Sequence, residues 1–162
     1  MENGDVKILF EPHLFWRNLK AVGFKDLSIE SLAKSHPDIL YRNWKAGAYG
    51  KVSQQWDRLK RAIQIDEEAA LLSASYGKFQ ILGSNYAACK YDSVQDYVDD
   101  MMISEAAHLN AFVNFIISNN LQVYLQKKDW SGFALRYNGK FYAVNKYDTK
   151  MQTAYNVLKR NN

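Results

Sequence analysis

Residues Ser73–Tyr86 read S-A-S-Y-G-K-F-Q-I-L-G-S-N-Y, and they restrict the fold of this 162-residue chain more tightly than any other stretch. Glu68, Ala69, Ala70, Leu71, Leu72 and Ala74 predict a buried helix at its start. Gly77 is placed to stop that helix, because only glycine enters the left-handed backbone region without a steric penalty. Phe79, Ile81 and Leu82 are apolar and turn inward in this reading. Gln80 sits among them, and a half-buried amide requires hydrogen-bond partners. Gly83 permits a second tight turn or a close backbone approach, and Asn85 and Tyr86 add a polar and an amphipathic side chain. Amides for hydroxyls, rings for sugar faces and glycines where backbone nears a ligand are the ingredients of a carbohydrate site. A helix–turn–helix corner with an internally satisfied Gln80 uses the same residues.

The length fits one domain, residues 1–162, with a real hydrophobic core. Tyr (11) and Trp (4) are plentiful, Pro is scarce, and no repeat or low-complexity tract is visible. The net charge of +4 suits an anionic polymer such as nucleic acid, a membrane surface or bacterial cell wall without selecting one of them. The single cysteine, Cys89, excludes an intramolecular disulfide and a multi-cysteine zinc site. His13, His36 and His108 lack metal-ligand spacing, so neither a metal nor a cofactor is expected. No signal peptide, lipidation motif or membrane span is apparent. Synthesis in a reducing cytoplasm is expected, and action outside the cell would then need release or export.

Lys7-Ile-Leu-Phe10 is a compact β-type run, and Glu11 ends it because Pro12 restricts the preceding residue to extended geometry. Pro12 also suits the first position of a helix, which runs to Val22 on Leu14, Phe15 and Leu19 and stops at Gly23. Ser28–Ala33 predicts a short helix closed off by Pro37. Residues Ile39–Gly50 hold Tyr41, Trp44, Tyr49 and two glycines and predict an irregular aromatic loop, pinned to the core or used for binding. Helical spacing resumes at Val52, Trp56, Leu59 and Ile63, and Asp66 opens another helix. Ser93 caps the longest one, predicted over Ser93–Ile117 as the central, most buried helix, with a stripe through Val94, Val98, Met101, Met102, Ala106, Leu109, Phe112, Val113 and Ile116. Leu121–Leu125, Trp130–Tyr137 and Met151–Leu158 complete a mainly α chain with one short extended segment near the N-terminus.

Two carboxylates stand out. Glu11 lies between Phe10 and Pro12 with Leu14 and Phe15 close behind, and apolar surroundings raise a carboxyl pKa toward the range useful for acid–base chemistry. A surface glutamate at a strand end fits the same residues. Glu105 falls on the inner side of the long helix, where a charge requires a partner; a structural ion pair and a second site carboxylate are both open. His108, one turn on, is read as its neighbour or as a surface residue. Phe133-Ala-Leu-Arg-Tyr-Asn-Gly139 ends a helix and presents Tyr137 and Asn138 to the core or to a cleft.

Gly77-Lys-Phe-Gln80-Ile81 and Ala134-Leu-Arg-Tyr137-Asn138-Gly139 resemble the paired motifs of transglycosylases and goose-type lysozymes. With K-I-L-F-E-P-H-L-F-W and S-E-A-A-H-L-N-A-F-V-N-F-I, they are more closely similar to the N-acetylmuramidase family found in phage endolysins, over Val6–Leu158. The resemblance implies a single lysozyme-like helical domain that hydrolyses the β-1,4 bond between N-acetylmuramic acid and N-acetylglucosamine. It implies Glu11 as the catalytic carboxylate that positions or activates water. Gln80, Asn85, Tyr86, Tyr137 and Asn138 line the sugar cleft in this reading, and peptidoglycan is the partner.

The family places a helix ending in Glu-Ser-Gly before the Phe-Glu-x-His strand, and its Glu resembles the general acid. This sequence opens Met1-Glu-Asn-Gly-Asp5 instead, and Glu2 is too close to Glu11 to take that part. Impaired hydrolysis is therefore expected, with an exposed apolar patch beside Ile8 and Phe10 that a dimer would bury. A non-catalytic peptidoglycan-binding relative is the alternative. A small nucleic-acid binder is a third reading, resting on Arg58-Leu-Lys-Arg61.

Overall fold

A computed structural model describes residues 6–140 and 142–160. Met1–Asp5, Glu2 included, lies outside the described residues. The chain is mainly α with a small three-stranded sheet, and it divides into two compact units, residues 1–115 and 116–162.

The first unit opens with β1 (Ile8–Phe10), and Glu11 leaves it in extended geometry, with φ −115° and ψ 94°. Pro12 then begins α1 (Pro12–Ala21), where its missing N–H costs nothing because the first turn of a helix has no acceptor for it. Helix α1 buries Phe15, Trp16 and Leu19, and Gly23 follows it at φ 104°. Next come α2 (Asp26–Ser35), held by a buried Ile29, and the irregular stretch before the 3-10 turn Val52–Gln54. Beyond it lie α3 (Gln55–Ile63) and α4 (Glu67–Leu72), the latter capped by the Asp66 carboxylate accepting from Ala69 N at 2.8 Å. Helices α1 and α3 both pack on α4.

The predicted helix through Ala74 is corrected by the structure. Helix α4 stops at Leu72, and β2 (Ala74–Tyr76) follows, buried along its whole length. Strand β2 pairs antiparallel with β1 (Ile8↔Tyr76, Phe10↔Ala74) and with β3 (Ile81–Leu82), again antiparallel (Tyr76↔Ile81). Gly77, at φ 74°, therefore serves a hairpin turn rather than a helix end. One of the two strands that pair with Ala74–Tyr76 lies more than sixty residues away, beyond the reach of local apolar spacing. Gly83 makes a close approach: a Cβ there would fall 2.1 Å from the Leu71 carbonyl oxygen.

The predicted long helix is two helices, α5 (Val94–Ile103) and α6 (Glu105–Ser118). Ser104 breaks them apart in extended geometry (φ −163°, ψ 160°), and its hydroxyl caps α6 by accepting from Ala107 N at 3.1 Å. Nor is this the most buried segment. Val94, Val98 and Met101 are buried, but Leu109 and Val113 are exposed and α6 instead buries Ala107, His108, Ala111 and Ile116. The largest enclosed side chains include Tyr76, Tyr97, Phe10, Phe15 and Leu19, contributed by the sheet, α1 and α5. Tyr97 meets Tyr76 edge-on at 5.8 Å and donates to the Ile81 carbonyl at 3.0 Å.

The exposed N-terminal patch is also corrected. Val6, Ile8 and Phe10 are buried, and the Trp56 indole closes over this end by donating to the Val6 carbonyl at 2.9 Å. A dimer through that surface loses its physical basis.

In the second unit α8 (Trp130–Asn138) packs against α7 (Gln122–Gln126) and α9 (Tyr147–Arg160). Asp129 caps α8 through Gly132 N at 2.8 Å, and Trp130 lies against Tyr155 with ring centroids 5.4 Å apart. Helix α9 starts at Tyr147 rather than at Met151.

Candidate active site

Glu11 stands where β1, α1 and α4 meet. Its N–H donates to the Ser73 carbonyl at 2.9 Å, while its own carbonyl accepts from Leu14 N at 2.9 Å and Phe15 N at 3.0 Å. Ser73 is itself fixed, its hydroxyl donating to the Ala69 carbonyl at 2.6 Å and accepting from the Asn18 amide at 2.8 Å. The backbone under the carboxylate is thus bonded to two helices. Burial pushes the Glu11 carboxyl above its ordinary range, and the Tyr49 hydrogen bond and the Arg17 charge pull it part of the way back.

Tyr49 donates its hydroxyl to Glu11 Oε2 at 3.1 Å, and the Trp44 indole N–H donates to that same hydroxyl at 2.8 Å. Burial first, then the neighbouring Glu11 charge, pushes the phenol up to about 12, so it stays a donor through the neutral range. His13 Nε2 lies 3.7 Å from Glu11 Oε2. Burial and Arg17 hold the imidazole below its ordinary range, so near neutrality this contact is made by an uncharged ring and is no salt bridge. His13 Nδ1 is buried and has no hydrogen-bond partner among the described residues.

The stretch carrying Trp44 and Tyr49 is held by two inward-facing polar side chains of α3. Gln55, only 2% exposed, accepts from Phe10 N at 3.0 Å and donates to the carbonyls of Tyr49 and Lys51, the latter at 3.1 Å. Arg58, 6% exposed, donates to the Tyr49 carbonyl at 2.7 Å and to the Asp38 carbonyl. The predicted apolar stripe of this helix is therefore rotated. Val52 is exposed, while Gln55, Arg58, Leu59 and Ala62 form the buried face. Loop carbonyls accept from the Gln55 amide and from the terminal nitrogens of Arg58, which makes their burial tolerable, while Arg58 Nε is buried without a hydrogen-bond partner among the described residues. This also removes the basis for a basic nucleic-acid face. Arg58 is enclosed, and Arg61 pairs with Asp38 and, at 3.1 Å, with Asp57. A pocket lined by Asp38, Gly50, Gln54, Arg58 and Arg61 is the seam between these pairs and does not include Glu11.

Gln80 sits on the hairpin turn, near the other end of β1. Its backbone is left-handed (φ 52°), and its amide donates to the Gly77 carbonyl at 2.9 Å and the Lys7 carbonyl at 3.1 Å. Both amide hydrogens are thus used within the protein, leaving Oε1 for a ligand. Lys7 and Glu11 are four residues apart on an extended segment, a span of about 13 Å. The described hydrogen bonds of Glu11 and Gln80 share no residue. Asn85 and Tyr86 are half-buried at and just after the 3-10 turn Gly83–Asn85.

Glu105 is not on an inner face. It begins α6 in solvent, paired with Lys78 at 2.6 Å, and that bond holds its carboxyl below the ordinary range. His108, by contrast, is buried. Its Nε2 lies 2.7 Å from the Met101 carbonyl and its Nδ1 accepts from Lys78 N at 3.4 Å, which ties the hairpin turn to α5 and α6. In the second unit Tyr137 is half-buried and stacks on Phe133 with centroids 5.4 Å apart, and Asn138 is the exposed last residue of α8.

Gln55, Arg58 and His108 were missed by sequence reasoning as organisers of this region. Trp44 and Tyr49 were legible only as members of an aromatic loop. Among the described residues no cluster of three or more His, Cys, Asp or Glu is fit to hold a metal, and no helix is long and apolar enough to cross a membrane.

A search of curated proteins finds no match. Among solved structures, the chain is similar to the crystal structure of Burkholderia AP3 phage endolysin, with a TM-score of 0.85 and 37% identity. That match covers 99% of this chain and 59% of the endolysin, so the chain spans somewhat over half the length of that relative. The N-acetylmuramidase family model matches residues 1–159. A family match over nearly the whole chain, together with the similarity to a solved phage endolysin, places this protein in the N-acetylmuramidase family.

Proposed function

We propose that residues 1–162 act as one peptidoglycan muramidase domain, directed at the β-1,4 bond between N-acetylmuramic acid and N-acetylglucosamine. The observation that carries the reading is the half-buried Glu11 carboxyl, raised by burial and aimed by Tyr49, in a chain of this family. A carboxylate with a raised pKa is a stronger base once ionised, which suits the activation of water. Gln80 through Oε1, with Asn85, Tyr86, Tyr137 and Asn138, contributes sugar contacts in this reading. The net charge of +4 favours the anionic cell wall, on which the protein acts after leaving the compartment where it is made.

Glycosidases of the usual kind divide acid and base work between two carboxyls. The other carboxylate considered for the site, Glu105, is paired with Lys78 in solvent. This favours a second reading, a peptidoglycan-binding relative with weak or no hydrolysis. A positioned acid or base typically contributes on the order of 10²–10⁴-fold. We therefore expect this chain to bind purified cell wall and release reducing sugar ends slowly, and Glu11→Gln to abolish that release while binding persists. Failure to bind the wall would refute both readings. Rapid release would rule out the second reading.

A further inference from the structure

Trp44 is 58% exposed, yet its indole is not adrift. Its one N–H is spent on the Tyr49 hydroxyl, leaving the ring face open to solvent. The backbone beneath is fastened by Gln55 and Arg58 through the Tyr49 carbonyl and by the link from Gln55 to Phe10 N. An exposed, orientationally fixed indole two hydrogen bonds from a half-buried carboxylate is the arrangement that a saccharide platform requires. The apolar face of a pyranose stacks on an aromatic ring, and a ring already held in place loses little entropy on binding.

We propose that Trp44 is a sugar-stacking residue of the Glu11 site, and that Tyr49 is a positioning residue which aims the Glu11 carboxylate at a sugar lying on that indole. The proposal rests on the muramidase reading for its ligand class, a β-1,4-linked amino-sugar chain. The chain of donors runs one way. Trp44 has no acceptor to offer, so it fills a lone pair of the phenol and leaves the phenolic hydrogen to Glu11. Successive hydrogen bonds of this kind polarise one another. The charged and titratable groups acting on Glu11 are His13 and Arg17 from α1 and Tyr41 and Tyr49 from the aromatic loop. Of these, only Tyr49 is both hydrogen-bonded to the carboxylate and tied to an exposed ring.

The test uses the full chain with Trp44→Ala, Trp44→Phe and Tyr49→Phe, each checked for folding by circular dichroism. Two readouts are needed: binding of a soluble glycan oligosaccharide prepared from cell wall, and the titration of the Glu11 side-chain carboxyl by ¹³C NMR, assigned with Glu11→Gln. Trp44→Ala should weaken oligosaccharide binding by about tenfold or more, as truncation of a binding-site Trp commonly does, and Trp44→Phe should recover most of it. Tyr49→Phe should raise the Glu11 midpoint, since a donor to the charged form is lost, and should weaken binding less than Trp44→Ala, because the indole loses its anchor but keeps its ring face. Trp44→Phe should raise that midpoint less. Wild-type binding with no loss in Trp44→Ala would overturn the platform while leaving the muramidase reading intact. An unmoved Glu11 midpoint in Tyr49→Phe would overturn the positioning role. Absence of oligosaccharide binding by the wild type would overturn both the proposal and the reading beneath it.

Discussion

Glu11 is buried enough that ionising it works against the fold. Its folded pKa is raised, so its contribution to stability is fully present below the unfolded carboxyl pKa and is lost as pH rises through the folded one. Thermal melts of wild type and Glu11→Gln should therefore coincide most closely in acid and separate toward neutrality, with the glutamine variant melting at or above the wild type. A lower melting point for Glu11→Gln at neutral pH would mean that the ionised carboxylate is structural. Gly77 allows a simpler expectation. Its φ of 74° lies where an L side chain is strained, and a Cβ would sit 3.0 Å from the His108 ring. Gly77→Ala should cost about 1–2 kcal/mol for the backbone alone, more with the ring contact, as read from urea denaturation.

Elements here are delimited by caps and by their partners. Ser104 splits what looks like one long amphipathic run, because its hydroxyl takes the Ala107 N–H that a continuous helix would bond through backbone. Ser104→Ala should lower stability by about 1 kcal/mol, the usual cost of losing an N-cap. The same break changes the expectation for Phe112. It is half-buried and stacked on Phe79 at 4.1 Å rather than enclosed in a central helix. Phe112→Ala should cost less than the roughly 3–5 kcal/mol of a fully buried ring, whereas Phe10→Ala, at a fully enclosed position, should reach that range. Equilibrium denaturation of the two variants side by side checks the ranking.

For the whole molecule, net charge and site geometry predict separable contributions to wall binding. A charge of +4 on an anionic polymer gives attraction that salt screens within a Debye length of about 10 Å at 0.1 M. Ring stacking at Trp44 is much less sensitive to salt. Wall association by the wild type should therefore fall as salt rises but level off above zero, and Trp44→Ala should lower that plateau. Pull-down on purified cell wall across a salt series measures both.

Much of the fold was legible because the deciding interactions were local. Pro12 sets both the end of β1 and the start of α1, the Asp66, Ser93 and Asp129 caps mark three helix starts, and the motifs from Lys7 to Gly139 carry the family resemblance. The raised Glu11 carboxyl also followed from its apolar neighbours in sequence. What stayed hidden depended on partners far along the chain. Ala74–Tyr76 is a strand in part because Ile8–Phe10 pairs with it, and Gln55 and Arg58 face inward because carbonyls of the aromatic loop receive them. His108 is buried because Met101 and the hairpin turn each offer it a hydrogen bond. Residue types and spacing determine caps, turns and apolar faces, since those energies act over one or two turns. Only the tertiary structure decides which polar groups find partners, and that decided the burial of Gln55 and Arg58 and the link from Trp44 through Tyr49 to Glu11.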